Sequence, residues 1–102
     1  MGADFFETES LGTTPKEAFN QAVEDARYMD GHGGYTGTIA EKNSFVMITL
    51  PKGKDPYDYI NELIEENDDR IYEKWGPAGC FELPGETQSG QKRFLFFGYA
   101  SS

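Results

Sequence analysis

The sequence predicts an α+β domain: two helices packed on one face of a mainly antiparallel sheet of about five strands. Three observations lead there. Two segments, each opened by a capping residue and a proline, carry apolar residues at helical spacing. Around them lie short runs rich in Phe, Ile, Val and Thr that have the length of strands. The 102 residues contain 15% aromatics and a single cysteine, enough for one modest core without disulfide staples. Residues 1–102 therefore read as a single domain.

Ala3 to Glu9 is the first predicted strand, with Phe5 and Phe6 followed by alternating Thr and Glu; Gly12 and Thr13 break it. Thr14-Pro15-Lys16-Glu17 is a helix start, with a Thr cap, proline at the first helical position and Glu three residues on to reach back. Ala18, Phe19, Ala22, Val23, Ala26 and Met29 form the buried stripe, and Gly31 ends the helix near Asp30 because glycine tolerates a left-handed terminal conformation. Thr36–Glu41 and Ser44–Leu50 read as a hairpin turning at Lys42-Asn43, its second arm apolar on both faces like an interior strand. Asp55-Pro56-Tyr57-Asp58 opens the second helix, whose stripe is Ile60, Ile64, Ile71 and Trp75, with a kink or split near Asn67-Asp68 and a stop at Gly76-Pro77. Ala78–Leu83 and Gln91–Ala100 are the last strands, the latter carrying Phe94, Leu95, Phe96, Phe97 and Tyr99 on both faces. The order is βαββαββ, in a ferredoxin-like or split βαβ arrangement.

Charge and composition limit the function classes. Nine basic against eighteen acidic residues leave a net charge of -9, which disfavours direct binding to a nucleic-acid backbone. Met1 to Leu11 has neither a basic start nor an apolar run, so it does not read as a secretory signal. The longest uncharged apolar stretches, Phe45–Leu50 and Phe94–Tyr99, fall far short of the roughly 20 residues of a membrane span. A cytoplasmic protein is expected.

Two segments stand out as candidate sites. Four of the twelve glycines, with the only histidine, lie in Gly31-His32-Gly33-Gly34-Tyr35-Thr36-Gly37. As a binding loop this stretch would present His32, Tyr35 and Thr36 beside free amides; as plain architecture it only ends a helix. It follows a helix, so it meets the negative helix end, and no lysine follows the glycines; a phosphate cradle is not expected. With one histidine and no cysteine nearby, no metal site or cofactor is expected, and Cys80 in an apolar strand reads as an inert buried thiol. The second segment, Asp55 to Glu73, has eight acids and one base, Arg70. Asp58, Glu62, Glu65, Glu66, Asp69 and Glu73 lie away from the Ile60, Ile64, Ile71 stripe, and such a face either is simply solvated or steers a basic partner. Tyr57, Tyr59, Tyr72, Trp75 and Tyr99 would suit an interface rim or a layer over the Phe-rich sheet.

The run Tyr28-Met29-Asp30-Gly31-His32-Gly33-Gly34-Tyr35-Thr36-Gly37-Thr38-Ile39-Ala40-Glu41-Lys42, with Thr14-x-x-Glu17-Ala18-Phe19 before it, resembles a group of short, functionally unassigned proteins of bacteriophage and bacterial genomes. Those share a capped helix followed by Gly-His-x-Gly-Tyr-x-Gly-Thr-Ile, and the similarity covers about the first half of the chain. The resemblance implies a phage or prokaryotic setting, hence a host cytoplasm, and no activity. The expected function is a small acidic, non-enzymatic binding protein that engages a host protein with a basic surface and modulates or inhibits it. A defence or nucleic-acid enzyme would be the target, and no catalytic residues are assigned. The alternative is a small-ligand or nucleotide-binding protein using the Gly31–Thr38 loop. Oligomeric state is left open by the sequence.

Overall fold

In the computed structural model, residues 2–31, 34–85 and 90–102 are described. The elements run β1 (Ala3–Gly12), α1 (Pro15–Asp30), a 3-10 turn (Ile39–Glu41), β2 (Phe45–Met47), α2 (Pro56–Glu65), β3 (Ala78–Glu82) and β4 (Lys92–Ser101). Four strands form one mixed sheet in the order β1-β4-β3-β2. β4 is antiparallel to both β1 and β3, whereas β2 and β3 are parallel. The class is α+β, but the mainly antiparallel five-stranded sheet is corrected to a four-stranded mixed one.

The helix starts form as their sequences dictate. Thr14 Oγ1 accepts from Glu17 N–H at 3.1 Å, and the Glu17 carboxylate reaches one residue past the cap, to Thr13 N–H and Oγ1. Asp55 caps α2 by accepting from the N–H groups of Tyr57 and Asp58. Each such cap stabilises its helix by about 1 kcal/mol. Gly31, at φ 88°, closes α1 by donating to Arg27 O.

The two helices lie on opposite sides of the sheet, which corrects the expected single covered face. Side chains alternate along β4, so Phe94, Phe96 and Ala100 join Phe6, Ala78 and Cys80 beneath Ala18, Phe19, Ala22 and Val23 of α1. Leu95 and Phe97 point the other way, into a second cluster with Phe81, Leu83, Ile48, Ile71 and the α2 residues Ile60 and Leu63. One helix cannot cover both sets of phenylalanines. A strand that is apolar on both faces needs a layer on each.

The expected hairpin is also corrected. Gly37 turns left-handed at φ 71° and donates to Ser101 O, and the following residues wind into the 3-10 turn instead of a strand arm. Phe45–Met47 is an edge strand beside β3, not an interior one; both its faces are apolar because Phe45 packs with the α1 cluster and Val46 with the α2 cluster. Two stripe residues fall outside the core: Met29 is 78% and Trp75 66% exposed. α2 ends before Trp75 because Asn67 adopts φ 52°, so the helical phase that would bury the ring is lost.

β3 and β4 also fix the space under α2. A Cβ on Gly79 would lie 2.5 Å from Phe97 Cε2 and 2.8 Å from Ile71 Cγ2. Gly79→Ala is therefore expected to destabilise the protein by about 1–3 kcal/mol, read as a lower urea midpoint with an unchanged slope. An unmoved midpoint would mean the α2 layer is looser than this packing implies.

Candidate functional site

The glycine-rich loop is tied down along its second half. Thr36 donates through both its N–H (3.2 Å) and its Oγ1 (2.8 Å) to the Glu41 carboxylate. Thr36 Oγ1 also meets Thr38 Oγ1 at 2.8 Å, and Thr38 Oγ1 accepts from Ala40 N–H. Burial would raise the Glu41 carboxyl, but the Thr36 side-chain and backbone bonds, the Tyr35 amide and the nearby Arg27 charge together hold it below the usual carboxylate range. Gly37 is pressed against Asp4, where a Cβ would sit 2.6 Å from Oδ2. Tyr35 instead stays 54% exposed and meets the Trp75 ring edge-on at 6.3 Å. Beside the loop lies a shallow cavity of about 240 Å³ lined by Arg27, Gly31, Gly34, Ala40 and Glu41. Of the three loop residues singled out from the sequence, Thr36 is occupied, Tyr35 is open, and His32 lies outside the described residues.

Lys42 follows directly and was invisible in the sequence as anything but a turn residue. Its side chain is buried, and Nζ donates to the carbonyls of Glu73, Lys74 and Gly76 at 3.4, 3.2 and 2.9 Å. The ammonium so clamps the turn after α2 to the entry of β2. Burial pushes its pKa down to about 8. The turn it clamps carries Trp75, which explains why Tyr35 and Trp75 meet.

The acidic segment is on the α2 side of the sheet. Asp58 and Glu62 belong to α2, Glu65 is its last residue and Glu66 its C-cap; Asp69 and Glu73 sit in the turns beyond. It is therefore not one helical face, as the sequence had implied. The segment's one base, Arg70, forks onto Asp68 at 2.9 and 2.7 Å, holding that carboxyl below its ordinary range, and Lys54 just before the segment pairs with Glu62. Asp58, Glu65, Glu66, Asp69 and Glu73 are exposed and make no ion pair among the described residues. Farther along the same side, Glu9 accepts from the Tyr57 hydroxyl (3.3 Å) and from Arg93 (3.1 Å), joining α2 to β1 and β4. Burial first, and then the Glu9 charge, raises the Tyr57 phenol above its ordinary range.

Cys80 is fully buried, and burial pushes its thiol up to about 12, so it stays protonated and unreactive at neutral pH. Among the described residues no three His, Cys, Asp or Glu side chains gather as a metal-ligand group, and no helix is long and apolar enough to cross a membrane. Glu41 was missed in the sequence although Thr38-Ile39-Ala40-Glu41 has the spacing of a capping box; the Tyr35–Trp75 contact had no such signal. No protein-family model, curated protein or solved structure matches the chain.

Glu41→Ala should destabilise the fold by about 1–3 kcal/mol, because it leaves the Thr36 donors without their charged acceptor. The difference from the wild type should be full above pH 4.5, the carboxyl's ordinary value, and fade as the pH falls through the lower folded value. For Lys42 the sign is the same, because its pKa too is lower in the folded chain. Between pH 8 and 10.5 the unfolded chain holds the lysine proton more tightly, so stability should rise with pH in that window relative to Lys42→Met. Urea titrations of both proteins from pH 7 to pH 11, about the span of that shift, read the effect; parallel curves would show that Lys42 is not buried as described.

Proposed function

We propose that this chain is a non-enzymatic binding protein that uses its acidic α2 side to engage a protein with a basic surface and modulate or inhibit it. The observation that carries this reading is the set Asp58, Glu65, Glu66, Asp69 and Glu73, exposed and outside any ion pair among the described residues, while Lys54 and Arg70 are committed to Glu62 and Asp68 and Lys74, beside Glu73, is turned to Gly2 O and the Trp75 ring. A chain of net charge -9 raises the encounter rate with a basic partner, and ions screen that field over about 8 Å at physiological salt. The resemblance of the first half to phage and bacterial proteins makes a host enzyme of defence or nucleic-acid metabolism the target class, met in the host cytoplasm. The rival reading, a small ligand or nucleotide held by Gly31–Thr38, is less well supported, since the Thr36 hydroxyl and amide already serve Glu41.

The test is affinity capture from bacterial lysate at low and high salt with three proteins: wild type, E65K/E66K/D69K, and a charge-matched control, E24K/D25K/D30K, on α1. The reading predicts a partner held by the wild type and the α1 control, released by salt and lost in the α2-side variant. Equal retention by all three would refute it.

A further inference from the structure

Among the described residues, the longest strand edge is open. β1 is a terminal strand of the sheet and ten residues long, against three for β2 at the other edge. Gly2 and Ser102 exchange N–H···O=C bonds in both directions at 3.1 Å, which sets the phase of the antiparallel ladder. In that phase Asp4, Phe6, Thr8, Ser10 and Gly12 turn their backbone groups toward β4, while Ala3, Phe5, Glu7, Glu9 and Leu11 turn theirs outward. None of those five outward amides and carbonyls has a hydrogen-bond partner among the described residues.

The side chains along this edge say what would pair there. Phe5, Glu7, Glu9 and Leu11 share the α2 side, with Leu11 47% exposed and Glu7 open to solvent. The other side offers the small polar Thr8 and Ser10. A second copy is a poor occupant. Antiparallel self-pairing centred on Glu7 would set that carboxylate against its own copy, and each chain carries -9. A strand with an apolar, basic, basic, apolar series at alternate positions matches Phe5, Glu7 (unpaired among the described residues), Glu9 (which already accepts from Arg93 and Tyr57) and Leu11.

We infer that the outer edge of β1 is a strand-addition site for an extended basic segment of a partner protein, whose cationic side chains face Glu7 and Glu9 while its backbone completes the β1 ladder. This rests on the basic-partner reading above but places a second contact on a different surface.

The probe is the peptide Val-Thr-Lys-Thr-Lys-Thr-Val, which reads alike in both directions. Two N-methylated forms accompany it, one methylated at Val and Lys and one at Thr. An antiparallel added strand donates from Val and Lys, a parallel one from Thr, so one form should lose about tenfold or more in affinity and the other should keep it. On binding, amide exchange should slow at Phe5, Glu7 and Glu9. Glu7→Pro, which removes an outward donor and leaves the β4 ladder intact, should weaken binding more than Glu7→Gln. Equal binding of both methylated forms, no binding of the parent peptide, or a free protein already dimeric with these amides protected would overturn the proposal. Binding abolished by E65K/E66K/D69K but indifferent to Glu7→Pro would also overturn it while leaving the acidic α2 surface as the docking site.

Discussion

β4 is the constraint on which the rest of the structure depends. It is a central strand with phenylalanines on both faces: Phe94 and Phe96 toward α1, Phe97 with Leu95 toward α2, all fully buried. Period-two alternation leaves no way to bury both sets against one layer, so α1 and α2 must lie on opposite sides. The aromatic contacts follow that division. Phe96 meets Phe19 of α1 at 5.5 Å and Phe45 of β2 at 5.7 Å, while Phe97 meets Phe81 at 4.5 Å. Gly79 allows the second set to close, because its missing side chain is where the Phe97 ring lies.

The functional surfaces inherit this layering. With α2 beyond the Phe97 side, the acids that follow it are carried there too, and the Tyr57–Glu9–Arg93 contacts extend the acidic side toward β1. The glycine loop leaves α1 and is drawn back onto β4 through Gly37 and Ser101. Lys42 then ties the turn after α2 to the beginning of β2, a contact between segments more than thirty residues apart. A buried ammonium with three carbonyl acceptors is costly to desolvate but leaves few alternatives for where that turn can sit.

What the sequence disclosed was local. Thr14-Pro15 and Asp55-Pro56 state their own helix starts, because the cap and the fixed proline φ act within one turn. Gly31 likewise states its helix end, and Ala78 and Lys92 lie within a residue or so of the expected strand starts. Side of the sheet and strand order are non-local, and here the reading failed: two-sided Phe in β4 was visible, but not that it separates the helices. Trp75 was placed in the core by extending a helical phase past the point where α2 ends, whereas Met29 lies within the last turn of α1 and is exposed all the same. The acidic residues were legible as a composition, whereas their division into paired (Glu62, Asp68) and free (Glu65, Glu66, Asp69) needed coordinates. Thr36 looked available in the sequence and is bound to Glu41 in the fold.

The opposed layers are tested most directly by side-chain proton contacts in solution. Phe96 should show cross-relaxation with Phe19 and Ala22 of α1, and Phe97 with Phe81 and the α2 cluster residues Ile60 and Leu63. Neither ring should show contacts to the other helix. If Phe96 and Phe97 both reported the same helix, the sheet would be covered on one side only, and the acidic side, the clamped turn and the open β1 edge would all have to be placed anew.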